Sequence, residues 1–476
     1  MWTWIDKTIN EFRSCFSRRA TFCCFALVLI GLMVRNDHLG ISSIVRELSL
    51  TANNYESLNH FFRSTAWFIG DFRDIWLKIV KINPFLIKED GRYILIGDGV
   101  QASKEGRKMP GVKKLHQQSD NSSKGEYIHG HLYGGLGILM GNAEKIYSVL
   151  LSARLHDGIA AIMKWTEWTG EEYNNEDSHV VKMIHDAGRA IKTFGDSLLL
   201  LDRLFLTRPM LMALVEYPGL SVVTKAKSNA TAYFYPGKYK GIGARAKKGA
   251  EVKVASFFTT HAPFFSSATM NLYGKDETVK YFCIDLLWGK KLYQPLRFVL
   301  TVMDGEQSIL VSTDLTLAPK QIIRLYCRRF KIECSFRELK QVVAGFSYHF
   351  WSKAMSKLQK FKSNKVNEAN LEKITDPHER ELIVSTVKAI EGYVQISTIA
   401  LGMLQMISLH FGNEINNSGK RYLRTVSNTI PSERTVADFL RTSIYMLFRF
   451  FPDLVITSII KERQLTPNEP DSEEAA

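Results

Sequence analysis

Cysteine is scarce in this chain, and its placement excludes two classes of stabilised domain. The 476 residues include six cysteines, none of them in a CxxC pair and none spaced with histidine as zinc ligands are. Structural zinc sites and disulfide frameworks both depend on such spacings. We therefore expect neither, and the cysteine usage indicates a protein of the reducing cytosol.

Apolar runs long enough to cross a membrane are also scarce. Residues 21–34 are apolar and follow two arginines, but the run spans only about 14 residues and no small-residue cleavage site precedes Arg35. Residues 393–411 could span a bilayer by length, yet they include Gln395 and Gln405 and continue a helical spacing of apolar residues that starts at Ile383. We predict two buried helices and no membrane insertion.

Acidic residues are outnumbered by basic ones. The chain has 62 Lys and Arg against 48 Asp and Glu, a formal net charge of +14, and 45% hydrophobic residues. The hydrophobic content and the length suit about two to four folded domains. The positive balance favours a polyanionic partner such as nucleic acid over an acidic small molecule.

Residues 319–341 carry an unusual charged face. Pro319 suits a first helical turn, and no Gly or Pro follows before Gln341, so the pattern predicts one helix. Spacings of three, four and seven residues place four side chains on one side of that helix: Tyr326, Arg329, Glu333 and Lys340. The simplest interpretation is a solvated face with an ion pair between Arg329 and Glu333.

The order Tyr, two residues, Arg, three residues, Glu, six residues, Lys resembles the signature helix of the DDE transposases of the insertion-sequence-four type. The resemblance implies that Glu333 is the third metal-binding carboxylate of a ribonuclease H-like domain. It also implies that Tyr326, Arg329 and Lys340 contact DNA at the transposon end. Two further acids should then lie upstream, on strands.

Two acids follow short apolar runs that read as strands. Residues 92–100 end in Asp98 and Gly99, and residues 197–202 are apolar enough to be buried on both faces and end in Asp202. Further strands are predicted at 132–140, 145–155 and 220–225, with helices from Val180 and from Thr207. In the ribonuclease H-like fold the first and fourth strands are adjacent and carry the acids. The resemblance therefore implies that Asp98 and Asp202 are the first two metal-binding carboxylates. Alternatively each Asp is only a turn residue at a strand end; Asp196, Asp285, Asp304 and Asp314 are the rival acids.

The fold class expected from this order is α/β: a ribonuclease H-like mixed sheet with flanking helices, a β-rich insertion and an N-terminal helical domain. The predicted boundaries are 1–88 for the helical domain, 89–235 and 295–412 for the two parts of the catalytic core, 236–294 for the insertion, and 413–476 for a C-terminal helical region with an acidic tail. Residues 40–65 allow either a helix-turn-helix that helps to bind DNA ends or an ordinary helical hairpin.

Residues 225–253, which lead into the predicted insertion, mix cations with aromatic residues. Such a mixture suits phosphate contacts combined with base stacking, although a solvated charged loop would look similar. The predicted DNA-binding cations are Lys225, Lys227, Lys238, Lys240, Arg245, Lys247 and Lys248. Two more basic stretches, 101–124 and 353–365, are predicted either to approach DNA or to be solvated.

The resemblance also implies a chemistry. Asp98, Asp202 and Glu333 would hold two Mg²⁺ ions, with Mn²⁺ as a substitute, because phosphodiester transfer builds charge on both the attacking and the leaving oxygens. The implied activity is cut-and-paste transposition by a cytoplasmic, nucleoid-associated protein. Its partners would be double-stranded DNA with terminal inverted repeats and target DNA, bound by a dimer in the synaptic complex. The competing hypotheses are a metal-dependent structure-specific nuclease or resolvase, and a domesticated, non-catalytic DNA-binding protein.

Overall fold

The computed structural model describes residues 1–117, 125–165, 177–239, 241, 244–358, 371–417 and 430–464. Its N-terminal region is helical, as the sequence predicts. The helices are α1 (Trp2–Glu11), α2 (Arg19–Val34), α3 (Ile41–Glu47), α4 (Asn53–Arg63) and α5 (Ile69–Lys81). The apolar run at 21–34 lies in α2, which is buried in the core.

The first half of the sheet alternates with helices. Its strands are β1 (Lys88–Glu89), β2 (Arg92–Ser103), β3 (Lys113–His116), β4 (Tyr127–Gly141), β5 (Ile146–Leu155), β6 (Ser197–Leu200) and β7 (Leu220–Lys225). The helices are α6 (Ala160–Met163), α7 (His179–Phe194) and α8 (Arg208–Leu214). Ser178 caps α7, and Thr207 caps α8, which has Pro209 in its first turn. These caps explain why the two helices begin at His179 and Arg208.

The second half of the sheet is antiparallel. It comprises β8 (Thr231–Tyr233), β9 (Glu251–Lys253), β10 (Ser266–Leu272), β11 (Lys275–Trp288), β12 (Gln294–Met303) and β13 (Glu306–Ser312), with the short helix α9 (Phe257–Thr260). The described strands form one mixed sheet of 13, and ten of them follow the order β3-β4-β2-β6-β7-β13-β12-β11-β8-β9. Of the other three, β1 pairs with β2, β5 with β4 and β10 with β11. The strands of the predicted insertion thus extend the central sheet from β13 outward.

Helices cover this sheet and complete the core. They are α10 (Pro319–Cys327), α11 (Lys331–Gln341), α12 (Pro377–Asn417), α13 (Glu433–Ser443), α14 (Met446–Phe450) and α15 (Val455–Lys461). By length and composition α12 could cross a membrane, but 83% of its most apolar window is buried inside the protein. It packs on β5 and α2, as a core helix does. The predicted acidic tail lies outside the described residues.

One prediction about local structure is wrong. Residues 319–341 form two helices, α10 and α11, separated by a turn at 328–330. In this turn the amides of Arg329 and Glu333 bond to the carbonyls three residues earlier, Tyr326 and Phe330. The sequence has no Gly or Pro there, so the break comes from tertiary contacts: Phe330 packs on Tyr273 in the β10–β11 hairpin, and Arg329 turns inward.

The fold class is confirmed: a mixed α/β structure with a large sheet, consistent with a ribonuclease H-like domain. The predicted first and fourth core strands are β2 and β6, and they are adjacent and parallel. The domain boundaries remain predictions. The two short helices predicted at 40–65 are α3 and α4, and both interpretations of that pair stay open.

Candidate active site

Asp98 and Asp202 are carried to the same level of the sheet. In the parallel pair of β2 with β6, Ile96 is the register partner of Leu200. Asp98 lies two residues beyond Ile96, and Asp202 lies two residues beyond Leu200, at the start of a 3-10 turn. β2 continues to Ser103, so Asp98 lies within its strand and not at the strand end that the sequence predicts. The register nevertheless places both acids at the same level of the sheet.

Glu333 approaches from the helix that covers this face. Asp98 pairs in register with Gly135 on β4, and a Cβ at Gly135 would lie 2.4 Å from the ring of Phe336. Phe336 is one turn beyond Glu333 on α11, so α11 rests directly on the strand position beside Asp98. A glycine is needed at position 135 because this helix comes so close.

Arg329 connects two of the acids. Its guanidinium donates to Oδ2 of Asp98 at 3.0 Å and also to Oε1 of Glu333. The side chain of Arg329 is 14% exposed, against 56% for Glu333. The ion pair of the simplest sequence interpretation is thus present, but Arg329 faces inward and bonds an acid 231 positions away in the chain.

The pKa of Asp98 reflects its burial and the charged groups near it. The pKa of Asp98 is raised to about 6, mainly by burial and to a smaller extent by the negative charges of Asp202 and Glu333. Arg329 and the Gly99 amide, which donates to Oδ1 at 2.7 Å, oppose the rise in pKa. Two other carboxylates thus act on Asp98 in a partly dehydrated site, and such a perturbed acid is a common feature of catalytic centres.

Tyr326 and Lys340 lie near the acids on two different helices. Burial raises the pKa of Tyr326, on α10, to about 12, with Asp202 and Asp98 as further causes, so its phenol adjoins the same cluster. Lys340, near the end of α11, donates to the Gln101 carbonyl at 3.1 Å. The turn at 328–330 therefore separates the predicted residues between two helices without dispersing them.

An open groove leads to two of the acids. It has a volume of about 710 Å³, and its lining includes Asp98, Glu333, Phe336 and Lys340. The floor is the segment of β2 from Asp98 to Ser103, and one wall is α11. A polymer lying in this groove would pass the acids and then Lys340.

The donor set suits a hard divalent cation. Three carboxylates supply the oxygen ligands that Mg²⁺ prefers. Within the described ranges no group of three or more His, Cys, Asp or Glu side chains is close enough to form a metal site. A positive charge does already stand between Asp98 and Glu333, namely the guanidinium of Arg329. Asp98 and Glu333 thus share one cation, the guanidinium of Arg329, and the three predicted acids are not gathered as ligands of a metal ion in this structure.

The predicted basic residues of the 225–248 segment lie around β8. Lys227, Lys238, Arg245 and Lys247 are exposed, and Lys225 and Lys248 are half-buried. The ammonium of Lys248 lies 3.9 Å from the centre of the Tyr233 ring, and Arg245 lies 5.2 Å from that of Tyr239. Lys240 lies outside the described residues.

A second, more basic cleft was missed by sequence reasoning. It has a volume of about 700 Å³, and its lining joins Lys227 and Tyr233 with Trp288. The other cations in the lining are Arg203, Arg208, Lys290 and Lys291, and the lining holds no acid. A signal was present, since Arg203 directly follows Asp202 and the two lysines follow a strand end at Trp288.

A buried polar chain supports the opposite face of the same strands. Nε2 of His156 donates to Asp186 at 2.8 Å, and Nδ1 of His156 accepts from Nδ1 of His179 at 2.8 Å. Burial lowers the pKa of His179 to about 3, so the ring is neutral. A Cβ at Gly99 would lie 2.9 Å from Nε2 of His179. Isolated histidines in the sequence gave no sign of this arrangement.

The comparisons with known proteins bear on the part of the chain that holds Asp202 and Glu333. A search of curated proteins and a search of solved structures each found no match. Residues 170–355 match a family model described as "Transposase DDE domain". This range begins after Asp98 and ends beyond α11. Residues 170–355 are thus similar to a transposase DDE domain, and this similarity supports a DDE transposase.

Proposed function

We propose that this chain is a cut-and-paste DNA transposase of the insertion-sequence-four type, with Asp98, Asp202 and Glu333 as its catalytic acids. The observation that supports the proposal is geometric: Asp98 and Asp202 follow register partners on adjacent parallel strands, and Arg329 bonds both Asp98 and Glu333 on the covering helix. The match of residues 170–355 to a transposase DDE domain supports the same chemistry.

The three carboxylates would hold two Mg²⁺ ions, which would stabilise charge on the attacking and leaving oxygens of the phosphodiester. Arg329 supplies a fixed positive charge between Asp98 and Glu333, so it orients both carboxylates and opposes the rise in the pKa of Asp98. Phosphate groups would compete for this guanidinium when DNA binds. Tyr326 would support the DNA beside the cleaved bond.

Lys340 would bind the DNA backbone where the groove continues along α11. The cations around β8, from Lys225 to Lys248, would contact phosphates on the other side of the acids. The partners are double-stranded DNA with terminal inverted repeats and a target DNA. Because two ends must be joined in one complex, the active assembly is at least a dimer, working in the cytoplasm at the nucleoid.

The test is an excision assay. The gene's flanking DNA is placed on both sides of a marker, and release of the marker is measured with Mg²⁺ for the wild-type chain and for Glu333→Gln. The wild type is expected to release one discrete fragment and the variant none. Glu338→Gln is the matched control, because it makes the same chemical change on α11 beside Arg337.

Two results would contradict the proposal. Equal excision by the wild type and by Glu333→Gln would show that Glu333 is not catalytic. DNA binding by the wild type without any cleavage would instead favour a domesticated DNA-binding protein.

A further inference from the structure

A second groove continues from the active-site groove, beyond Lys340. It has a volume of about 780 Å³ and is formed by the loop after β2 and the segment after α11. Ser103 and Phe346 line both grooves, so the two adjoin. We call the second one the distal groove. A strand that leaves the acids along α11 would enter it next.

The distal groove is basic. Its lining contains Lys104, Arg107, Lys108 and Lys357 against a single acid, Glu105. Arg107 and Lys357 are exposed, and neither forms an ion pair with any residue that the structure describes. Their charges are therefore available for an anionic ligand, as phosphate-binding cations must be.

The other two cations, Lys104 and Lys108, instead form hydrogen bonds that hold the groove together. Lys104 donates to the carbonyls of Phe346 and Tyr348 and lies 3.4 Å from the centre of the Tyr348 ring. Lys108 donates to the Lys353 carbonyl at 2.8 Å. These bonds tie the loop after β2 to the segment after α11, so the groove has a defined shape.

An exposed indole lies in this basic setting. Trp351 is 55% exposed and lines the groove together with the exposed ring of His349. The chain around Trp351 is held in place, since the Ser352 amide donates to the Lys108 carbonyl at 3.1 Å and Arg63 donates to the Trp351 carbonyl at 3.2 Å. A large apolar ring fixed at the surface among cations suits stacking on a nucleic-acid base.

We propose that the distal groove binds a single-stranded segment of DNA next to the cleavage site, with Trp351 stacked on a base and Arg107 and Lys357 on phosphates. Unpaired bases expose the faces on which an aromatic ring stacks, whereas a duplex offers mainly its phosphates to such a surface. This inference rests on the proposed function for the identity of the polymer, and it adds a site that cleavage chemistry alone does not require.

The test measures binding by the full chain without divalent ions, so that no cleavage occurs. Fluorescence anisotropy gives the affinity for a labelled oligothymidine of about 12 nucleotides, which is within the usual site sizes, and for a duplex of the same length. The variants are Trp351→Ala and the pair Arg107→Gln with Lys357→Gln. The matched controls are Phe264→Ala, an aromatic side chain that is 69% exposed elsewhere, and Lys7→Gln with Lys275→Gln, two exposed cations outside the groove lining.

Trp351→Ala should weaken single-strand binding about ten-fold, from the loss of one stacked base, and should change duplex binding less than about two-fold. The paired variant should reduce the slope of log affinity against log salt by about 1.4 for the single strand, at about 0.7 per phosphate contact. A loss with Trp351→Ala no larger than with Phe264→Ala would overturn the proposal. Equal losses for single strand and duplex would also overturn it, in favour of a duplex site.

Failure of this inference is distinguishable from failure of the proposed function. If the wild type excises no marker but the single-strand results hold, the distal groove is a single-strand site of a non-transposing protein. If excision depends on Glu333 but Trp351→Ala binds as the control does, the transposase assignment stands and the distal groove is not such a site.

Discussion

Replacing Gly135 with alanine should displace α11 and thereby lower the excision rate strongly, while it lowers the free energy of unfolding only a little. The new Cβ would lie 2.4 Å from the Phe336 ring, whereas ordinary contacts begin at 3.4 Å, so the ring must move by about 1 Å. Phe336 is 6% exposed, and its escape is either into the active-site groove, which it lines, or outward together with α11. Both movements disturb the space beside Glu333.

The expected loss of activity is larger than the loss of stability. A misplacement of about 1 Å near reacting groups can cost about 100-fold in rate. Overpacking costs about 1–3 kcal/mol, partly offset by about 0.4–1 kcal/mol from the less flexible unfolded chain. The free energy of unfolding should therefore fall by about 1–2 kcal/mol, while the marker-excision rate falls about 100-fold.

Two companion variants make the test specific. Gly237→Ala is the control, because no atom lies within 4 Å of its new Cβ and its backbone tolerates a side chain. Phe336→Leu removes the distant ring atoms, so adding it to Gly135→Ala should restore part of the excision rate, a coupling that a double-mutant cycle measures. If Gly135→Ala excises as fast as Gly237→Ala, the contact of α11 with β4 does not position Glu333.

Two further predictions concern stability, measured by urea denaturation. Arg35 is 1% exposed and donates to the Val343 and Ala344 carbonyls after α11 and to the Tyr393 hydroxyl. Arg35→Met should cost at least about 3 kcal/mol, because each buried acceptor left without its partner costs about 1–3 kcal/mol. The exposed Arg46→Met should cost less than about 1 kcal/mol, and equal costs would contradict the buried role. Burial lowers the pKa of His131 to about 3, below its unfolded value of about 6.5. The stability that the neutral His131 ring contributes to the fold is therefore complete above pH 6.5 and is lost as the pH falls toward 3. The loss is about 1.4 kcal/mol by pH 5.5; His131→Asn should lack this part of the pH dependence, and an unchanged dependence would refute the assignment.

The sheet around the acids could be predicted because its signals are local. The run that ends in Asp202 is apolar on both faces, as a strand buried between β2 and β7 must be. The glycine after Asp98 and the Thr207–Pro209 helix start are likewise visible in the sequence. The spacing of Tyr326, Arg329, Glu333 and Lys340, through the resemblance that it carries, favours these two acids over their rivals.

The remaining features depend on contacts between distant segments. Nothing in the sequence breaks the helix at 328–330, since Phe330 is drawn to Tyr273 and Arg329 to Asp98 only in the folded chain. The sequence shows the cations of residues 101–124 and those that follow Trp351 at 353–365, but not that the fold brings Arg107, Trp351 and Lys357 to one groove. Residues 118–124 and 359–365 of those stretches lie outside the described parts of the chain.

The central claim is that Asp98, Asp202 and Glu333 act as one catalytic unit, and strand cleavage in vitro tests it most directly. Purified Asp98→Asn, Asp202→Asn and Glu333→Gln are compared with the wild type on DNA that carries the gene's flanking sequence, with Mg²⁺ present. Asp196→Asn is the control, because Asp196 starts the same segment as Asp202 but lies before β6. The account predicts that each of the three variants binds this DNA yet cleaves it at least about 100-fold more slowly, while Asp196→Asn cleaves normally. Cleavage at the wild-type rate by any one of the three would contradict it.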